Sequence, residues 1–256
     1  MKDFVDKDSI VRTIWGNPDT ILLIFAGASA EFALNKSVDW LYFTGKLPSD
    51  PLGRLFSTVT YAQKIVFASE KDAFQVIHSM NSIHNSVSKA RGFQIPNHAF
   101  HDVLNMLIDY SIISFQVLER PLTYAEKEEV FNVFIRLGNR MGIQNLPNSF
   151  NEWCILRQSY LMKHLENSTN SKDLFQQYRN HLGLIRYFIL TETYRLLTPP
   201  QVKKLMNLKR SSLLKWLIVP YKLSRAIKLD LLFKSLLFPK AFQKDIANLN
   251  NQTSLN

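Results

Sequence analysis

Asp50-Pro51-Leu52-Gly53-Arg54-Leu55-Phe56-Ser57-Thr58 reads as the opening of a helix. An aspartate can accept from the orphan N–H groups of a first turn. Proline suits the first helical position, where its fixed φ is already helical and its missing N–H costs nothing. Leu52, Leu55, Phe56, Val59, Ile65 and Val66 then recur at helical spacing. The run closes at Ser69-Glu70-Lys71-Asp72, and Ala73, Phe74, Ile77, Met80 and Ile83 carry a second helix. Two helices joined by a short polar turn pack antiparallel. Folding the hairpin about that turn sets His84 roughly opposite Leu55, about 20 Å from the turn by helical rise. Arg54 and Thr58 stand one helical turn apart and share a face. The spacing therefore brings a histidine, an arginine and a threonine to one height, which makes them a candidate site.

Outward from the hairpin the chain keeps a helical pattern. Asn17-Pro18-Asp19 starts the second of two helical pieces within 8–34, and Pro96-Asn97 precedes an apolar helix from about Ala99 to Leu118. Thr123 with Glu126 three positions on is a capping-box start, and Gly142 stops that helix after Met141. Leu146-Pro147-Asn148-Ser149 opens another through Trp153 and Leu161. Helices are expected at 172–195 and after Thr198-Pro199-Pro200. Sustained alternation is missing, as are the Asn-Gly and Asp-Gly pairs of strand hairpins. The expected class is all-α, a single multi-helix domain. Its expected parts are a helical body over 1–200, basic amphipathic helices over 201–245 packed on the body or on a membrane surface, and a frayed tail over 246–256.

Composition bounds the function. With 256 residues and 46% apolar content, the chain can bury a sizeable core and is neither disordered nor polytopic. Ile21 to Ala30 is too short to span a bilayer and is followed by Glu31, so it reads as a buried core helix. The first eight residues carry acids and no apolar run, which predicts no secretory signal. Cys154 is the only cysteine, which excludes an internal disulfide and a cysteine-built zinc or iron–sulfur site. It fits a reducing compartment, and the expected location is cytoplasmic, with a peripheral membrane contact.

The net charge of +10 is concentrated. Residues 203–244 hold eleven Lys or Arg against Asp230, so the remainder sums to zero. Within this region Lys209, Arg210, Lys215, Lys222, Arg225 and Lys228 mix with Trp216, Leu217, Leu231 and Phe233. Such a mixture reads as a membrane-surface or partner-binding element over 203–238, or as a packed helix pair with solvated lysine stems. Nucleic acid is not an expected partner, because few aromatics alternate with the cations and the rest of the chain is neutral.

Motifs for hydrolysis or nucleotide chemistry are missing: no HExxH, no Gly-rich phosphate loop, no GxSxG elbow and no Cys/His pair. His84 by itself reads as structural more often than ligating. His78, six positions earlier, falls on a different face. His98 and His101 have a spacing that can bind a metal, but no Glu/His partner motif accompanies them, and they read as a surface pair at a helix N-terminus. Asp109 and Glu119 stand as single acids.

Asp50-Pro51-Leu52-Gly53-Arg54-Leu55 and Thr58, then Phe67, Ala73 and His84-x-x-Val87, resemble the pattern of the rubber oxygenase and MpaB catalytic-domain family. Pro121-Leu122-Thr123, Glu126, Gly142, Leu146-Pro147 and Leu197-Thr198-Pro199-Pro200 extend the resemblance over roughly residues 8–220. It implies a globin-like or related helical bundle with a central pocket for haem b. His84 would be the proximal iron ligand. Arg54 and Thr58 would line the pocket on the oxygen side, as catalytic and cofactor-binding residues. The implied activity is oxidative cleavage of a carbon–carbon double bond, with dioxygen, in an apolar isoprenoid or lipid-like substrate held in an apolar tunnel. The alternative is a non-catalytic helical protein that binds a lipid, a membrane or haem. Ala68, Asn81 and Leu104 stand where the family pattern has glycine, arginine and histidine.

Overall fold

The computed structural model describes residues 2–38, 42 and 45–226. The tail expected over 246–256, and the basic region from 227 onward, lie outside the described residues. The helices are α1 (Ile10–Trp15), α2 (Pro18–Leu34), α3 (Lys46–Ser49), α4 (Pro51–Val66), α5 (Glu70–Arg91), α6 (Asn97–Leu118), α7 (Tyr124–Met141), α8 (Phe150–Lys163), α9 (Thr169–Leu197), α10 (Pro200–Leu205) and α11 (Leu214–Ala226). Among the described residues there is no strand, only isolated bridges from Asp3 to Ser69 and from Asn35 to Leu165. The fold is all-α and forms a single helical domain.

Local chemistry sets the helix boundaries. Asn17 accepts from the N–H groups of Asp19 and Thr20, Ser69 from that of Asp72, and Ser149 from that of Glu152. Thr123 and Glu126 exchange both bonds of a capping box. Gly92 and Gly142 end α5 and α7 at φ 79° and 81°, the left-handed conformation that glycine adopts without strain.

A helix apolar on every side has to be surrounded. α2 is that helix, with α6 and α9 laid along it, α10 against it and Ile21, Ile24, Phe25, Ala30, Ala33 and Leu34 buried. Trp15, at the end of α1, is buried completely. Its ring meets the edge of Phe25 at 6.0 Å and leans on Phe134 at 5.8 Å, while its indole N–H donates to Ser111.

The α4/α5 hairpin packs as its short turn requires. The N-terminal strap holds the turn from outside: the Phe4 N–H donates to the Ala68 carbonyl and the Glu70 N–H to that of Lys2. At the far end, Leu52 is buried with Leu174, Tyr178 and Leu182, so the first half of α9 clamps the start of α4. α9 breaks its helical path at Gly183, where φ is 74° and ψ 171°.

Candidate functional site

The Asp50–Thr58 stretch explains itself in space. The Asp50 carboxylate folds over the first turn of α4 and accepts from the Gly53 N–H at 2.9 Å. A Cβ at Gly53 would stand 2.0 Å from the other oxygen of that carboxylate, so the cap requires glycine there. Arg54 is exposed on the next position and makes no ion pair among the described residues. The hydroxyls of Ser57 and Thr58 both donate to the Arg54 carbonyl, at 2.8 and 3.2 Å. Thr58 is thus exposed and turned back onto its own helix.

Across the hairpin, His84 is half-buried on α5, with its ring against the edge of Phe100 at 5.2 Å. Its Nδ1 is buried without a hydrogen-bond partner among the described residues. Burial first, and the Arg54 guanidinium second, hold the imidazole below its ordinary pKa. A neutral ring with a free nitrogen can ligate a borderline metal ion. The structure therefore brings Arg54 to bear on His84, while Thr58 points elsewhere.

His84 opens onto a cleft of about 190 Å³, bounded also by Asn81, Asn85, Ser88, Gln94 and Phe100. This cleft is more polar than the apolar tunnel expected from the resemblance. Asn81, at the position of the family's arginine, donates to the Met141 carbonyl, and Leu104 is buried in the main core.

Other clusters escape a sequence reading. His101 is buried and sits 2.6 Å from the Gln144 carbonyl, so the expected surface pair with His98 does not form. His98 instead meets His164, whose Nδ1 lies 2.8 Å from the buried Asp102 carboxylate. Glu31, the acid after the apolar run of α2, is paired through both oxygens with Arg157 at 2.6 Å. Arg157 also reaches Asp109 at 2.9 Å, and the Tyr110 hydroxyl donates to Glu31. The signal for Glu31 was available: a charge inside an apolar helix needs a partner. The identity of that partner was not.

The basic segment spends part of its charge on docking. Arg210 and the Leu213 N–H bind the buried Glu192 carboxylate at 2.6 and 2.7 Å, with Arg195 on the same oxygen as Arg210. Arg225 pairs with Glu119 at 2.7 Å, and Lys222 donates to the Glu119 carbonyl. Trp216, Leu217, Val219 and Leu223 remain exposed on α11. Glu192→Ala should unlatch this segment, since each charge-assisted bond contributes about 1.5–3 kcal/mol. Trypsin cleavage at Lys209 and Arg210 is expected to quicken at least tenfold, because about 1.4 kcal/mol is a tenfold change in the open population. An unchanged cleavage rate would refute the latch.

The profile of the family described as "ER-bound oxygenase mpaB/B'/Rubber oxygenase, catalytic domain" matches residues 20–227. The chain belongs to this family. No curated protein and no solved structure matches it. The match to the MpaB/rubber oxygenase catalytic domain runs from α2 through α11, so it contains the whole hairpin with Arg54, Thr58 and His84. Among the described residues, no helix of this MpaB-type domain is long and apolar enough to cross a membrane.

Proposed function

We propose that this domain is a haem b-dependent oxygenase in which His84 is the proximal iron ligand and Arg54 and Thr58 serve the pocket. The carrying observation is the state of His84: half-buried, Nδ1 unpaired, and kept neutral by burial and by Arg54. His84 fits the group, whereas Arg54 and Thr58 lie outside the lining of the cleft onto which it opens. A neutral imidazole is a standard haem ligand, and the Arg54 guanidinium, without an ion pair among the described residues, suits an anionic propionate. When bound, haem supplies the dioxygen chemistry, directed in this reading at a carbon–carbon double bond of an isoprenoid or lipid-like substrate. Arg54 carries a fixed positive charge whose field reaches His84. Thr58 becomes a donor once its hydroxyl rotates from the Arg54 carbonyl. Ile95, Phe100 and Met141 offer apolar surface in the cleft beside the amides.

The test is a spectrum. The full chain expressed with a haem precursor should show a Soret band, and His84→Ala should abolish it. A colourless parent, or a band unchanged in the variant, would overturn the assignment.

The exposed Trp216, Leu217, Val219 and Leu223 beside Lys215 favour a second reading, in which the domain rests on a membrane surface through the 203–238 region and binds lipid without catalysis. That reading expects sedimentation with anionic vesicles that weakens as salt is raised, without haem.

A further inference from the structure

His164 caps the C-terminus of α8. Its Nδ1 lies 2.8 and 3.0 Å from the two oxygens of Asp102, which also accepts from the Asn35 side-chain amide at 2.8 Å. A carboxylate can only accept, so the ring proton is drawn to Nδ1 and the Nε2 lone pair faces away from it. Nε2 has no hydrogen bond among the described residues. The Tyr160 ring stacks on the imidazole at 5.1 Å and 27°, which fixes its plane. His98, exposed on the first turn of α6, brings a second imidazole to 5.2 Å between centroids, inclined by 50°.

That separation has a chemical meaning. With metal–nitrogen bonds of about 2.0–2.1 Å, two imidazoles on one tetrahedral ion place their centroids roughly 5–5.5 Å apart. A carboxylate behind one histidine is the usual outer partner of such a ligand. The carbonyl end of α8 favours a cation, and Asp102 offsets the positive end of α6. Lys36, whose ammonium donates to the Lys163 carbonyl, opposes the ion and limits affinity. Among the described residues no third His, Cys, Asp or Glu joins the pair, which leaves the other positions to water.

We propose that His98 and His164 form a water-completed site for a late first-row divalent ion (copper, zinc or nickel), with Asp102 positioning His164, separate from the His84 cleft. The ion would bridge α6 and α8. Imidazole ligands suit these metals, and the tetrahedral spacing of the two rings is the one that zinc adopts.

The test uses the full chain, free of any histidine tag, titrated with Cu²⁺, Zn²⁺, Ni²⁺ and Mg²⁺ by calorimetry and thermal denaturation. One equivalent of Zn²⁺ should bind and raise the melting temperature, as Cu²⁺ and Ni²⁺ also should, while Mg²⁺ does neither. His98→Ala alters an exposed side chain, so the fold survives, and it should weaken binding at least tenfold and remove the thermal shift. Asp102→Asn should weaken binding by about tenfold without changing the stoichiometry. His181→Ala, an exposed histidine of α9, is the control and should bind as the parent does. His84→Ala should also leave the titration unchanged, which separates this site from the proposed haem ligand. No uptake by the parent, or parental binding by His98→Ala, overturns the proposal.

Discussion

Arg157→Leu is expected to cost about 3–5 kcal/mol of folding stability, the usual penalty for removing one partner of a buried ion pair. The guanidinium is buried, and burial works against its charge. The Glu31 and Asp109 carboxylates more than offset this and hold Arg157 above its ordinary range. Glu31 is buried completely, and burial raises its pKa against the pull of Arg157. Without Arg157, burial and the Asp109 charge raise it against the Tyr110 hydrogen bond alone. A carboxyl whose folded pKa lies above its unfolded value holds its proton better in the native state, so the variant loses stability as pH rises above about 4.5 through the folded pKa. Its deficit against the parent should therefore be larger at pH 8 than at pH 5. Denaturant unfolding at the two pH values measures this, and an equal deficit at both would exclude Glu31 as the stranded charge. Adding Glu31→Gln should recover part of the loss, because the amide oxygen still accepts from Tyr110 without a charge to desolvate.

Trp15→Ala is expected to cost a similar amount, about 3–5 kcal/mol, from lost transfer energy and the cavity left behind. The indole fills the space between α2, α6 and α7, against Phe25, Ser111 and Phe134, and α1 is too short to be stable without it. With m near 3 kcal/mol/M, the urea midpoint should fall by roughly 1–1.7 M. Trp15→Phe keeps most of the ring packing and loses one hydrogen bond, so its cost should be nearer 1 kcal/mol. A loss below about 1.5 kcal/mol in the alanine variant would show that α1 is not held through this side chain.

Much of the hairpin was legible before folding. Asp50 before Pro51, Ser69 before Glu70 and Gly92 after Arg91 set its boundaries, because caps act within a few residues of themselves. Reflection about a short turn then put Arg54 and His84 at one height, and the guanidinium lies near enough to help lower the pKa of the imidazole, second to burial. Thr58 shared their height on paper, but its hydroxyl found the Arg54 carbonyl, a local choice that spacing does not specify. The pairing of His98 with His101 followed a helical repeat that is real. It failed because His101 is buried against the Gln144 carbonyl while His98 is not.

The sequence by itself determined most of the helices, many of their caps and the α4/α5 hairpin, since each rests on residues within a few turns of one another. It did not determine α3 or the break of α9 at Gly183. Only the tertiary structure decided the partners of the buried charges. Glu31 and Arg157 are 126 positions apart and Asp102 and His164 are 62 apart, and nothing local says which acid meets which base. It also decided the state of His84, whose neutrality comes from surroundings that α4, α5 and α6 assemble together. Burial and long-range pairing are properties of the packed chain, because the cost of an unpaired charge arises only after water has been excluded around it.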